Sequence, residues 1–277
     1  ERKAGVEKTA GFFLMLFIVV GTFAVVYGIL YVANLIHPVL RFCLETFFIY
    51  QILATKSLKT ESMKVYKKLK EGDLIGARKE VSYLVGRDTE NLDESEVAKA
   101  DVETIAENTA DGVIAPMLFI AIGGAPLGFA YKAVNTLDSM VAYKNEELIN
   151  IGFFSAKMDD ICNFIPARFA AVMLMIASLI LRFDFKGAVK IFKRDRFAHL
   201  SPNSAQTEAV AAGALQIQLW GTHNYFGKAV VKPTIGDDIR PVEYEDIKRT
   251  NQLLYVSAVL SMAVCCLITF LIYVQLF

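Results

Sequence analysis

Neither sign of charge is in excess in this chain: 29 Lys and Arg face 29 Asp and Glu among 277 residues. That excludes the global basic balance of a nucleic-acid-binding protein, and no nucleic-acid partner is expected. Histidine is scarce; the three present, His37, His199 and His223, are scattered. The four cysteines, Cys43, Cys162, Cys265 and Cys266, sit in or beside apolar runs and form no C-x-x-C pair. Zinc and disulfide frameworks are therefore not expected, and the thiols read as small buried hydrophobes. No G-x-S-x-G, G-x-x-x-x-G-K-[ST] or G-x-G-x-x-G string occurs, so neither a Walker-type nor a Rossmann nucleotide site is supported. Internal repeats and low-complexity tracts are also missing.

What is present is membrane-grade apolar sequence, 55% hydrophobic, interrupted by dense polar clusters. The uncharged run from Thr9 to Leu40 exceeds the roughly 7–15 residues of a signal-peptide core. It predicts a first span from Gly11 to about Val32, a turn at Asn34, His37 and Pro38, and a second span from Arg41 to Leu58 with Glu45 inside it. Gly112–Tyr131 is uncharged but carries Pro116 and the breaker Gly123-Gly124-Ala125-Pro126, which predicts a re-entrant hairpin or a discontinuous helix. Ile161–Leu181, with Pro166 and Arg168, is a further apolar run. Leu253–Phe277 is the last span.

Between these runs, residues 59–111 read as helix-rich and polar. A helix over Leu74–Val85 closes at Gly86, and Asp93 with Glu96 forms a capping box for a helix reaching about Thr109. Residues 183–197 form a basic amphipathic stretch suited to an anionic leaflet. Residues 198–250 read as a polar loop region. Basic blocks at Arg2–Lys8, Lys56–Lys68 and 183–196 are assigned to the cytoplasmic side; the side taken by 132–160 is left open. The fold class is all-α: a polytopic α-helical membrane protein with cytoplasmic polar helices and loops and re-entrant elements. It is read as one membrane-embedded domain over 1–277.

Ionisable groups near a bilayer are expensive to keep and usually carry function. Glu103, Glu107 and Asp111 fall at i, i+4 and i+8, a carboxylate stripe of about 12 Å on one helix face. Their mutual repulsion calls for a positive partner, for which Mg2+ with a phosphate is the candidate; a solvated acidic face is the alternative. Asn108 and Thr109 add polar groups beside it. Asn135 and Asp138, with Lys132 and Lys144, form a second polar face or a capped helix end. Arg87 and Asp88 in Gly86-Arg87-Asp88-Thr89 read as an anion fork or a surface pair. Asp159-Asp160 precedes Arg168, giving either a structural Asp160–Arg168 pair or a catalytic one. Ser201-Pro202-Asn203-Ser204 leads into a helix carrying Glu208. Gly221–Gly227, with Asn224, Tyr225 and Phe226, and Lys232-Pro233 are loops that could approach a ligand closely.

Taken in order, these strings resemble a known family. G-R-D-T at 86–89, V-E-T-I-A-E-N-T-A-D-G-V-I-A-P at 102–116, G-G-A-P at 123–126 and Y-K-A-V-N-T-L-D-S-M-V-A-Y-K at 131–144 come first. A-K-M-D-D-I-C-N-F-I-P-A-R at 156–168, S-P-N-S at 201–204, E-A-V-A-A-G-A-L at 208–215, N-Y-F-G at 224–227 and K-P-T-I-G-D at 232–237 follow. The chain resembles the adenosylcobinamide-phosphate synthases, membrane enzymes of cobalamin biosynthesis, over about residues 10–260. Family members usually begin with a further apolar segment and an H-P-V-x-x-x-G-like motif, expected to be missing here.

The resemblance implies an amide ligation at the cytoplasmic face of the cell membrane. The substrate adenosylcobyric acid, a corrinoid, is joined to aminopropanol phosphate (or aminopropanol), with ATP as co-substrate and Mg2+ as cofactor. It implies Glu107, Asp111 and Asp138 as metal ligands. Asp88 or Glu103 would accept the amine proton, and Asn108, Asn135, Asn203 and Asn224 would fix oxygens. Arg87, Lys144 and Lys232 would hold phosphates. Asp160, Arg168, Ser201, Glu208 and Tyr225 join the substrate-binding set, and Tyr143, Tyr225 and Phe226 would line a corrin groove. Membrane lipids, a second copy of the chain and other membrane enzymes of the pathway are the expected partners. The competing readings are a membrane prenyl or phospho-alcohol transferase, which would also array acids for Mg2+–diphosphate, and a non-catalytic transporter or sensor using Glu45 and Arg168.

Overall fold

The computed structural model describes residues 2–141, 148–199, 201–225 and 227–276. In chain order the helices are α1 (Arg2–Ile36), α2 (Pro38–Ile52), α3 (Thr55–Lys70), α4 (Leu74–Ser82) and α5 (Glu94–Asn108), which runs into a π-helical turn at Thr109–Ile114. Then follow α6 (Ala115–Val141), α7 (Phe153–Cys162), α8 (Phe164–Ile180), α9 (Phe185–Asp195), α10 (Ser204–Leu215) and α11 (Tyr244–Leu276). A single antiparallel hairpin, β1 (Thr222–Tyr225) and β2 (Lys228–Val231), pairs Thr222 with Val231 and Tyr225 with Lys228. The all-α class holds. Two compact units share the chain: Glu1–Leu53, Ala115–Phe164 and Met262–Phe277 form the first, Ala54–Ile114 and Ile165–Ser261 the second.

Three helical stretches, Ala4–Ile36, Glu94–Val141 and Tyr244–Ile272, are long and apolar enough to cross a membrane, or four if α7 and α8 count as one broken span. That fits a multi-pass membrane protein. In the first unit, α1 buries Met15, Val26, Leu30 and Ala33 while Phe17, Val25, Tyr31 and Leu35 stay exposed, as a helix facing lipid on most of its circumference must. His37 starts α2 by accepting Val39 N–H on its Nδ1 at 3.1 Å, ahead of Pro38 in the first turn; that position suits a residue without an N–H. The expected second span, Arg41–Leu58, is corrected. α2 is only 15 residues, short of the roughly 20 that cross a bilayer, because Ala54 leaves the helix and donates its N–H to Gly112.

α6 is where the breaker acts. Gly124 sits at φ 64° and Gly123 is non-helical. Phe119 and Tyr131 nevertheless stack with ring centroids 4.8 Å apart, and an added Cβ on Gly128 would meet Ile120 at 2.6 Å. Twelve residues of straight helix would separate Phe119 from Tyr131 by about 18 Å, so the chain doubles back at Gly123-Gly124. The re-entrant alternative is the one realised, and Glu94–Val141 is not a straight span despite its composition. A turn inside an apolar segment exposes backbone groups that need partners. Ala125 N–H reaches Glu45 Oε1 at 3.4 Å, and Ala121 C=O accepts Thr269 Oγ1–H at 3.2 Å. Glu45, conspicuous inside an apolar run, thus serves the start of the returning arm.

The second unit is the polar one. The Asp93 and Glu96 capping box forms as expected. α4 ends at Ser82, before the expected Val85, and Gly86 lies in the following loop. The apolar face of α9 packs within the unit. Ala188 and Ile191 are buried, and Gly187 meets α10 so closely that a Cβ there would lie 2.6 Å from Gly213 O. In the region 198–250 the helix expected after Ser201–Ser204 is α10, buried at every residue; the rest, expected as loop, is corrected, since it holds the β1–β2 hairpin and the first turns of α11. The Ser201–Ser204 turn rather than periodicity announced α10, since a helix covered on all sides has no polar face.

Candidate active site

Buried charge concentrates in the second unit, around the single tryptophan of the chain. Arg87, in the loop after α4, is 8% exposed and forms an ion pair with Glu103 of α5, 2% exposed, through Nη2 and Oε2. Glu103 Oε1 accepts the backbone N–H of Trp220 at 2.6 Å. Trp220 Nε1–H in turn donates to Glu208 Oε2 of α10 at 2.8 Å. One residue therefore bridges two carboxylates from two helices. Its backbone is left-handed, φ 62°, followed by Gly221 at φ 113°. A non-glycine residue held there stores about 1–3 kcal/mol of strain, which the two hydrogen bonds and the surrounding charges maintain.

Cations surround the indole. Lys232 Nζ lies 4.0 Å from the ring centroid and Arg87 Cζ 5.3 Å from it, while Lys99 donates to the Trp220 carbonyl. Lys232 also reaches Tyr225 Oη at 3.2 Å. His223 on β1 presents its ring nitrogens 3.1 and 3.2 Å from Arg87 Nη1. Burial, then the charges of Arg87, Lys99 and Lys232, lower its pKa to about 3, so the ring is neutral and can accept from Arg87.

The acidic side is unbalanced. Glu208 is fully buried, and its Oε1 has no hydrogen-bond partner among the described residues. Burial first, then the neighbouring Glu107 and Glu103, raise its pKa well above the ordinary carboxylate range. Glu107 is half-buried and accepts Ser204 Oγ–H at 2.9 Å. The expected stripe is thus only partly real. Glu103 faces inward, and the positive partner it requires is Arg87, a side chain. The π-helical turn beginning at Thr109 adds a residue per turn and carries Asp111 off the line of Glu103 and Glu107.

The remaining sequence-derived residues sort by unit. Asp88 donates its N–H to Asn224 O at 2.9 Å and accepts Gly227 N–H at 2.8 Å, fastening the Arg87 loop to the hairpin. Arg168 of α8 donates to Asn203 Oδ1 at 3.2 Å, and Ser201 Oγ accepts Asn203 N–H at 3.3 Å. His199 accepts Ser201 N–H and packs its ring 5.1 Å from that of Trp220, linking this N-terminal turn of α10 to the indole. Asn108 donates to Thr104 O on its own helix. In the first unit, Asn135 reaches Asp159 at 3.4 Å, Asp159 accepts from Asn163, and Asn163 accepts from Tyr131 Oη–H. Asp138 lies on α6 in that unit, and Asp160 pairs with Lys157 at 3.7 Å. Lys144, Tyr143 and Phe226 lie outside the described residues.

The residues missed by motif reading are Trp220, Lys99 and His223. Trp220 and Lys99 lie outside every quoted string, and His223 looked like one of three scattered histidines. The only local cue was the glycine-bounded Gly221–Gly227 loop.

Among the described residues, no three His, Cys, Asp or Glu side chains converge to hold a metal ion. Mg2+ needs no protein cage, since it commonly takes one or two carboxylates and completes its shell with water and phosphate oxygens. The half-buried Glu107 carboxylate with the Ser204 hydroxyl, near the unpartnered oxygen of buried Glu208, is a hard-oxygen donor set of that limited kind.

Comparison with known proteins identifies the family. The sequence profile of the family described as CobD/Cbib protein matches residues 1–254. The cobalamin biosynthesis protein CobD of Clostridium perfringens is 54% identical over 261 residues, covering 94% of this chain and 83% of the relative. CobD of Streptococcus sanguinis is 51% identical over 257 residues, 93% and 81% of the two chains. The cobalamin biosynthesis protein CbiB of Salmonella choleraesuis is 47% identical over 251 residues, 90% and 79%. No solved structure matches. A profile spanning nearly the whole sequence and relatives near half identity decide the matter: the chain belongs to the CobD/CbiB family of cobalamin biosynthesis proteins.

Proposed function

We propose that the Trp220-centred cluster carries an ATP- and Mg2+-dependent amide ligation, joining adenosylcobyric acid to aminopropanol phosphate or aminopropanol on the cytoplasmic side of the membrane. The observation that carries this reading is the buried chain Arg87–Glu103–Trp220–Glu208, flanked by Lys99 and Lys232. It sets cations for phosphate beside carboxylates for metal or proton in one unit.

A carboxylate is a poor electrophile. Its oxygen attacks the γ-phosphorus of ATP, ADP leaves, and an acyl phosphate forms on the corrinoid propionate. The amine nitrogen then attacks the acyl carbon, phosphate leaves with the C–O bond electrons, and the nitrogen loses a proton. Glu107, beside the Ser204 hydroxyl, would hold Mg2+, which would neutralise charge on the transferred phosphoryl group. Lys232 is the accessible cation for phosphate oxygens, because Arg87 is committed to Glu103 and His223. Asp88, in the loop clasped by the hairpin, accepts the amine proton. Lys232 would stabilise the tetrahedral oxyanion. Half-buried Tyr225 offers an aromatic face for the corrin.

The test is a ligation assay on the full chain in lipid or detergent, supplied with adenosylcobyric acid, aminopropanol phosphate or aminopropanol, ATP and Mg2+. Expected is a product heavier by the condensed amine, dependent on ATP and lost in Glu107→Ala. Folded protein that makes no product with either amine would overturn the proposal.

A further inference from the structure

The first unit contains a cavity of about 570 Å3, walled by α1, α2, the re-entrant α6 and the end of α11. Its volume falls within the roughly 300–1,000 Å3 typical of small-ligand sites. Most of its lining is apolar or aromatic, including Tyr27, Tyr31, Ile122 and Ile272, and two opposite charges, Arg41 and Glu45, face it. Tyr27, Tyr31 and Ile122 are 55%, 56% and 62% exposed on segments apolar enough to lie in a membrane, so the mouth of the cavity opens on lipid.

The two charges are under-satisfied. Arg41 Nε stands 3.8 Å from Glu45 Oε2, with Arg41 half exposed. That separation is beyond hydrogen-bond length. The other Glu45 oxygen meets Ala125 N–H only at 3.4 Å. An arginine and a glutamate at an apolar surface are costly unless each finds a close partner. A ligand with an anion for the guanidinium, an ammonium for the carboxylate and a hydrocarbon body for the walls would satisfy both. Arg41 also lies one turn beyond the α1–α2 bend at His37. α1 is about 52 Å long at the helical rise, more than the roughly 30 Å hydrocarbon core, so this bend is suited to headgroup depth.

We propose that this cavity is a structural binding site for one phospholipid with a primary-amine headgroup, its phosphate on Arg41, its ammonium on Glu45 and an acyl chain against Tyr27, Tyr31 and Ile122. The lipid wedges the tip of the re-entrant hairpin, because Glu45 also holds Ala125.

The full chain is transferred to micelles doped with phosphatidylethanolamine or phosphatidylglycerol, and retained lipid is counted by native mass spectrometry. One phosphatidylethanolamine is retained, preferred about ten-fold over phosphatidylglycerol, the worth of one hydrogen bond to a charged group. Arg41→Gln loses retention of both lipids, whereas Glu45→Gln retains lipid but loses the preference. Arg41→Lys, which keeps the charge and removes the fork, weakens retention and serves if Arg41→Gln does not fold. Equal retention of the two lipids by the wild type, or retention unchanged in both Arg41 variants, overturns the proposal and leaves only annular lipid. Displacement of bound lipid by soluble phosphoethanolamine at equal concentration also overturns it, assigning the site to a free aminoalkyl phosphate.

Discussion

Glu103 Oε1 and the backbone N–H of Trp220 are 2.6 Å apart across 117 residues of sequence, and that bond fixes a left-handed tryptophan beside a buried arginine. The arrangement makes Glu103 a positioning residue for the indole as much as a charge. Glu103→Gln leaves Arg87 buried without its counter-ion, and breaking one half of a buried pair costs about 3–5 kcal/mol. A fall of several degrees in melting temperature with loss of ligation is expected. A variant as stable and active as the wild type would show that Glu103 is not the counter-charge.

Trp220→Phe keeps the ring but removes the donor to Glu208, stranding a buried carboxylate at a cost of about 1–3 kcal/mol. The wild type offers a direct readout: its single tryptophan reports only on this site. Addition of ATP with Mg2+ should change the emission, and Lys232→Ala should reduce that change. Emission insensitive to saturating nucleotide would separate the indole from the ligand.

His223 sets a pH window. Its folded pKa lies near 3 against an ordinary 6.5, so between those values the unfolded chain binds a proton that the folded one does not. Stability contributed by neutral His223 is therefore complete above about 6.5 and is lost progressively as pH falls toward 3. Melting curves of wild type and His223→Gln should differ in slope across that window and run parallel above it. Parallel curves throughout would contradict the buried, neutral imidazole.

The hairpin tip makes a sharp comparison between glycines. Gly124→Ala places a side chain at φ 64° with Glu45 Oε1 only 2.6 Å from the new Cβ, and the left-handed backbone alone costs about 1–2 kcal/mol. Gly28→Ala in α1 meets nothing within 4 Å and should stabilise by up to about 1 kcal/mol. Thermal denaturation in detergent distinguishes them, and equal effects would refute the tight turn.

The membrane elements were legible because their signals are local. Gly123-Gly124-Ala125-Pro126 announced a break, Asp93 with Glu96 announced a helix start, and Thr9–Leu40 announced α1. The stop at Ala54 was not legible, since it depends on a carbonyl at Gly112. Within the site, Arg87, Glu103, Glu107 and Glu208 were visible as charges in apolar surroundings. Their partners were not. Trp220 acts through its backbone and a positive φ, neither of which a side-chain pattern encodes, and its contacts with Glu103 and Arg87 span more than a hundred residues. The start of α10 was legible in the Ser201–Ser204 turn, but its full burial was not, because Ala, Gly, Ser and Thr side chains buried on every side leave no stripe.

That long separation bears on how the protein is made. The loop carrying Arg87 and the helix carrying Glu103 emerge from the ribosome well before Trp220 and His223. Until the later segment arrives, the pair lacks its indole lid and its second acceptor. The site cannot close before Trp220 and His223 emerge, and a chain interrupted near residue 215 would expose a half-built charge pair for quality control to recognise.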